Sequence, residues 1–394
     1  MKNETLQSES SATNLPVAQR SDPSFDPNNI PSPHRMPSPH PETESCFFDS
    51  SLFRLLDASA NRAGEGLRVV EDYVRFVLDD RLLTETLKRI RHDLSSTLAI
   101  LDRVERCAFR ETVRDVGTTL TTPQEKQRGS TNDVLIAAFE RIEQSLRSLE
   151  EFLKLRDGEA AISIEAIRYR VYTLEKVVVL GNDARNRLAV VRLCVLVDGQ
   201  KSDLAFERLI ASLVESGATM IQLRDKILSD RELVDRGRTI LTITRPAGAL
   251  FIMNDRPDLA AACRADGVHL GQDDLSIADA RRIVGACPMI GVSTHTIEQA
   301  RRAVFDGASY IGVGPTFHSS TKSFDQFPGL ELIEQVAAEI SLPTFAIGGI
   351  TPENLDEVLA AGATRVAIAS AIQQADDPSK TVTDVLQRLR SFPS

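Results

Sequence analysis

The chain has 394 residues, is 42% hydrophobic and 26% charged, and carries a formal net charge of −10. This length suits two or three domains, and the acidic balance argues against nucleic acid or an anionic membrane as partner. No apolar run approaches the roughly 20 residues of a membrane span, no basic-then-apolar leader opens the chain, and the five cysteines are scattered without a CxxC pair, so a reduced, cytoplasmic protein is expected.

Residues 1–45 hold eight of the eighteen prolines, among Ser, Asn and Asp. Such a segment has too little apolar surface to offset its ordering entropy, which predicts a disordered tail with His34 and His40 as solvated residues. From 46 to 185 glycine becomes rare and helical periodicity takes over. Leu67, Val70, Val74 and Leu78 recur at helix spacing, with acids and arginines opposite. Helical patterns continue through LLTETLKRIRHDLSSTLAILDRV, DVLIAAFERIEQSLRSLEEFLKL and IEAIRYRVYTLEKVVVL with no strand pattern between them. An all-α bundle is predicted for 46–185, with RDVGTTLTTPQEKQRGSTND as a solvated connection.

The bundle contains a repeat. NRAGEGLRVVEDYVRF aligns with FERIEQSLRSLEEFLKL when Arg62 is placed on Arg141; Leu67 then meets Leu146, Arg68 meets Arg147 and Glu71 meets Glu150. Two helices packed as equivalents are expected. The four charged residues are expected to form ion pairs on the surface or between helices.

Residues 186–394 change character again. The runs VRLCVLV, MIQL, LFIM, GVHL, MIGV, YIGV, TFAIG and VAIA are each followed by a helical pattern. Eight such units in about 200 residues predict a closed (β/α)8 TIM barrel. Continuous rather than alternating apolar runs suit strands buried on both faces.

In a barrel of this kind the chemistry sits at the carboxyl ends of the strands. After the second strand come Gln222, Arg224 and Lys226, which share a face if strand alternation persists. Asn254 and Asp255 follow the third; Gln272, Asp273 and Asp274 the fourth; Ser293 the fifth. Ser319, Ser320, Thr321 and Lys322 follow the sixth, Gly348 and Gly349 the seventh, and Ser370 the eighth. Cations and hydroxyls suit phosphate oxygens, and two carboxylates from neighbouring strands suit Mg²⁺ bridging those oxygens. The pattern reads as a magnesium–diphosphate site. The IGGIT glycines and the Ser370 helix start offer backbone donors for a second phosphate. His269 reads as a packed core histidine, and His295 as a helix-start residue or a support for Ser293. Asp258 and Asp266 read as cap or turn residues; Asp225 and Asp273 could assist a metal, but each points away from its functional neighbour if strand alternation persists.

The motifs QLRDK, MNDRPDLA, DGVHLGQDD, GVSTH, GVGPTFHSSTK and IGGIT, in this order, closely resemble the thiamine-phosphate synthase family across the whole barrel zone. The helical zone resembles an extension found on some bacterial members. The resemblance implies joining of 4-amino-5-hydroxymethyl-2-methylpyrimidine diphosphate to a thiazole phosphate with release of diphosphate. It implies Asp255 and Asp274 as Mg²⁺ ligands. It implies that Arg224, Lys226, Asn254, Ser293, Ser319, Thr321 and Lys322, with Ser320 in the same run, meet the diphosphate or pyrimidine. Gln222 would contact the pyrimidine, and Gly349, Ala369 and Ser370 the thiazole phosphate. Arg224, Lys226, Ser293 and Lys322 would act in catalysis, with the loop after the sixth strand as lid. His318-Ser319-Ser320-Thr321 stands where the family often shows Pro-Thr-x-Thr. A thiazole tautomerase-like relative and a non-catalytic thiamine-phosphate sensor are the rival readings; retention of the cations and both acids disfavours them. A homo-oligomer is left open.

Overall fold

The computed structural model describes residues 41–113, 115, 127–318 and 327–392. It divides into two compact units, Met1–Phe48 and Asp49–Ser394. Of the first, only helical backbone from Pro41 is described; the disordered tail expected at 1–45 is therefore helical over 41–45, and its residues 1–40 lie outside the described residues. Within the second, a helical bundle precedes a barrel.

The bundle comprises α1 (Pro41–Phe76), which belongs to this unit from Asp49 onward, α2 (Arg81–Thr97), α3 (Arg103–Ala108), α4 (Thr131–Leu153) and α5 (Gly158–Arg187). Leu67, Val70, Val74, Leu146 and Leu149 are fully buried, as the periodicity requires. The repeat is structural: α1 and α4 pack closely enough that a Cβ on Gly66 would lie 2.6 Å from Ile142 Cγ1.

The repeat also extends beyond the helices that reveal it in sequence. Asp80 and Asp157 cap the N-termini of α2 and α5, accepting from Leu83 N–H and Ala160 N–H. About three turns further on, Arg91 on α2 pairs with Glu71, and Arg168 on α5 pairs with Glu150, with Nε to Oε2 at 2.9 Å. Each hairpin thus carries one buried glutamate held by an arginine from its own second helix. Of the two placements expected for these ion pairs, the one between helices is what Glu71 and Glu150 make, with arginines from outside the aligned segments. Glu71 and Glu150 are buried, because a helix-to-helix arginine satisfies each carboxylate where water cannot. Arg68 and Arg147 add only half-exposed i,i+3 contacts.

In the barrel, β1 (Leu193–Val197), β2 (Met220–Leu223), β3 (Leu250–Asn254), β4 (Gly267–Leu270), β5 (Met289–Thr294), β6 (Tyr310–Val313), β7 (Thr344–Ile347) and β8 (Val366–Ile368) pair in parallel and in order. β8 closes on β1, with Cys194 opposite Ala367. The intervening helices are α6 (Asp203–Glu215), α7 (Asp230–Thr244), α8 (Pro257–Cys263), α9 (Ile277–Val284), α10 (Ile297–Asp306), α11 (Gly329–Glu339), α12 (Leu355–Ala360), α13 (Ser370–Gln373) and α14 (Pro378–Ser391).

Strand residues divide by alternation. Val195, Ile221, Phe251, Val268, Ile290 and Ile311 join the core under the helices, whereas Cys194, Met220, Ile252, Met289, Tyr310 and Phe345 fill the lumen. Leu188 and Val191, just after α5, belong to the lumen cluster and floor it. Further joints tie bundle to barrel at the same lower end. Ser341 donates its N–H and hydroxyl to Asp80 Oδ2 at 3.1 and 2.7 Å, while Arg185 donates to Ser341 O. Asp80→Ala removes a helix cap and orphans a buried N–H in one change. It is expected to cost about 2–4 kcal/mol, read as a lower urea midpoint at unchanged slope.

Candidate active site

The site is built where lumen positions turn polar at the upper ends of the strands. Gln222 lies two residues above Met220, Asn254 two above Ile252, and Ser293 two above Gly291. Register places Asn254 opposite His269, His269 opposite Gly291, and Ser293 opposite Gly312. Glycine at 291 is a packing requirement, since a Cβ there would lie 2.1 Å from Tyr310 Cζ.

A polar column runs up this side of the lumen. His269 is buried, with Nδ1 3.2 Å from the Tyr310 hydroxyl and Nε2 2.9 Å from Ser293 Oγ. Burial pushes the imidazole down to about 4, against the opposing charge of Asp274, so it is neutral near pH 7. Burial also holds the Tyr310 hydroxyl protonated. A neutral imidazole has one donor and one acceptor nitrogen. In the tautomer in which Tyr310 donates to Nδ1, Nε2–H faces Ser293 Oγ and leaves the serine proton to point into the site. Of the two roles expected for His295, the helix-start one fits its place: it directly precedes the N-cap Thr296 of α10, its N–H donates to Gln299 Oε1 at 2.7 Å, and its Nδ1 meets Gly314 O. The core reading of His269 holds, and its contact with Ser293 was not legible in sequence.

Asp255 and Asp274 come together. Asp255 follows the last residue of β3 at φ 58°, a left-handed conformation uncommon for residues other than glycine, and its N–H donates to His269 O at 2.7 Å. Its carboxyl is pushed up to about 6, first by burial and then by the charge and hydrogen bond of Asp274. Lys226 and Arg224 act in the opposite sense, so both cations lie within electrostatic reach of the acid pair. Gly271 N–H fixes Asp274 Oδ2 at 2.6 Å. Two facing carboxylates, one made costly to ionise by the other, form a donor set that a divalent cation satisfies.

β2 ends at Leu223, so the expected alternation does not carry Arg224 and Lys226, which stand on the loop beyond it. That loop is organised by Asp225, which accepts from the N–H groups of Gly199, Ile227 and Leu228 and faces away from the acid pair. Asp266 likewise serves structure, accepting from Phe251 N–H at 2.8 Å.

The turn after β7 is shaped for close approach. Gly348 and Gly349 have φ of 101° and 66°, and a Cβ on Gly349 would lie 2.6 Å from His318 O. Asn354, absent from the sequence reading, holds this turn by donating to Gly349 O and accepting from Thr351 N–H. Ala369 and Ser370 stand at the start of the one-turn α13, above β8 and so beside β7. Ser319, Ser320, Thr321 and Lys322, and with them the expected lid, lie outside the described residues. Among the described residues, no group of three or more His, Cys, Asp or Glu gathers to hold a metal. None of the described helices is long and apolar enough to cross a membrane.

Comparison with known proteins covers both zones. Residues 193–372 match the family described as Thiamine monophosphate synthase, and residues 54–177 match the ThiD2 family. A thiamine-phosphate synthase of Rhodopirellula baltica is 42% identical over 352 residues, covering 87% of this chain and 94% of that one. The thiamine-phosphate synthase of Gloeobacter violaceus is 42% identical over 339 residues, covering 86% and 97%. Among solved structures, a thiamine phosphate pyrophosphorylase from Pyrococcus furiosus shares 33% identity at TM-score 0.47, covering 52% of this chain and 97% of its own.

Proposed function

Because this chain belongs to the thiamine-phosphate synthase family, we propose that it joins a pyrimidine methyl diphosphate to a thiazole phosphate, giving thiamine phosphate and diphosphate. The observation that carries the reading is the Asp255–Asp274 pair within reach of Arg224 and Lys226. Mg²⁺ is the cofactor that suits this pair. It is commonly held by one or two carboxylates, with substrate phosphate oxygens and waters completing its shell. When bound it supplies charge neutralisation for the leaving diphosphate.

The chain's own groups account for the rest. The bond between the pyrimidine methylene carbon and the diphosphate oxygen breaks, and its electron pair leaves with diphosphate. Arg224 and Lys226 stabilise the charge that develops on those oxygens, with Lys322 assigned the same task. Ser293, oriented by neutral His269, donates a hydrogen bond toward the diphosphate or pyrimidine. Gln222 and Asn254, at the top of the lumen, hold the pyrimidine ring. The thiazole nitrogen lone pair then forms the new carbon–nitrogen bond. No proton has to be removed, which agrees with a site whose histidine is neutral and buried. Ser319, Ser320 and Thr321 are assigned to the diphosphate and pyrimidine, and Gly349, Ala369 and Ser370 to the thiazole phosphate.

The test is purified chain with both substrates and Mg²⁺, following thiamine phosphate and diphosphate together. One-to-one formation is expected. Binding without turnover would favour a sensor, and isomerisation of a thiazole precursor without diphosphate release a tautomerase. Gly349→Ala is expected to raise KM for the thiazole phosphate about tenfold while leaving that for the pyrimidine diphosphate within twofold. An alanine here combines a left-handed backbone with a clash against His318 O. Equal effects on both substrates would contradict the assignment.

A further inference from the structure

Arg256 immediately follows Asp255 and makes a double fork. Its Nε and Nη2 donate to Asp258 at 2.9 and 2.7 Å, and its Nη1 and Nη2 donate to Asp230 at 2.8 and 2.9 Å. Asp230 is the first residue of α7 and Asp258 the second of α8. One guanidinium therefore joins the starts of the helices that follow β2 and β3. The loop before α7 carries Arg224 and Lys226, and the turn before α8 carries Asn254 and Asp255. Arg256 N–H also donates to Asn254 O at 2.8 Å, closing the turn around the left-handed Asp255.

We propose that Arg256 is a positioning residue for the metal site: its fork holds Asp255 in its left-handed geometry opposite Asp274. The inference rests on the metal-site reading above. Ion pairs this exposed add little to global stability. The value of the fork lies in geometry, because a planar guanidinium fixes two carboxylates at once and an ammonium does not. Left without it, the Asp255 turn has an alternative open to it: relaxation away from φ 58° swings the carboxylate off the site.

The test measures Mn²⁺ binding to the full chain in the presence of diphosphate by electron paramagnetic resonance, alongside Mg²⁺ dependence of turnover. Arg256→Gln is expected to weaken Mn²⁺ binding about tenfold, with kcat at saturating Mg²⁺ within about twofold of wild type and melting within about two degrees. Arg256→Lys should recover only part of the affinity. Asp230→Asn, which releases only the α7 half of the fork, should weaken binding in the same direction and guards against misfolding of the arginine variants. Unchanged Mn²⁺ affinity in Arg256→Gln and Asp230→Asn would overturn the proposal, as would a fall in kcat at unchanged affinity. A wild-type chain that binds no Mn²⁺ with diphosphate would instead remove the metal-site reading itself.

Discussion

Asp255→Asn is expected to lower synthase turnover about 100-fold or more while raising the melting temperature of the metal-free protein. Both effects come from the same side chain. The carboxylate is needed to hold the cation, yet in its absence it is buried beside Asp274 and forced to φ 58°. Asparagine keeps the shape, tolerates the left-handed region better and removes one of two facing charges. Functional strain of this kind is typically relieved by inactivating substitutions. The pH dependence has a definite sign. The folded-state carboxyl titrates near 6 against an ordinary 3.8, so between those values the folded chain binds more protons than the unfolded one. The stability present below pH 4 is therefore lost as pH rises through 6, and the loss should be smaller in Asp255→Asn. Over the same window, ionisation of the pair should make turnover less demanding of Mg²⁺. Melting curves at pH 4, 5, 6 and 7, with and without Mg²⁺, check this. An asparagine variant that melts lower than wild type without metal, or that turns over normally at limiting Mg²⁺, would contradict it.

The second large effect distinguishes two truncations. A chain beginning at Asn182 is expected to fold and to retain synthase activity within about threefold per folded molecule, because every described residue assigned to the chemistry lies on the barrel. It loses Asp80, and with it the Ser341 joint, so it should melt lower and yield less soluble protein. A chain beginning at Leu193 is expected not to fold. It also loses Leu188 and Val191, both essentially without exposure at the floor of the lumen, and the bond from Arg365 to Leu188 O. Opening the floor costs about 2–3 kcal/mol per apolar side chain, out of a total that is commonly only about 5–15 kcal/mol. Circular dichroism melts and activity per folded molecule separate the cases. A well-folded, inactive 182–394 chain would mean that the bundle supplies part of the site.

The barrel was readable because a strand buried on two faces leaves a continuous apolar run, and eight of them were present between turn residues. The end-of-strand residues were readable for the same reason, as polarity there has no packing role. What the sequence did not reveal depends on distance along the chain. Glu71 finds Arg91 and Ser293 finds His269 only once helices and strands are laid side by side. The alternation invoked for Gln222, Arg224 and Lys226 stopped one residue short, at Leu223, where Asp225 gathers three backbone donors and ends the extended chain. The left-handed state of Asp255 has no local signature either, since aspartates also stand in many other turns and caps.

The floor formed by Leu188 and Val191 also bears on how the chain is made. Synthesis delivers the hairpins first, and their contacts are local, so they can close while the barrel is still emerging. The barrel cannot shut until β8 arrives to meet β1, some 170 residues later in the chain than the strand it joins. In the finished fold, Leu188 and Val191, directly after α5, tie the start of β1 to the bundle. Loss of the bundle should therefore be read in refolding yield and aggregation as much as in the kinetics of the folded chain.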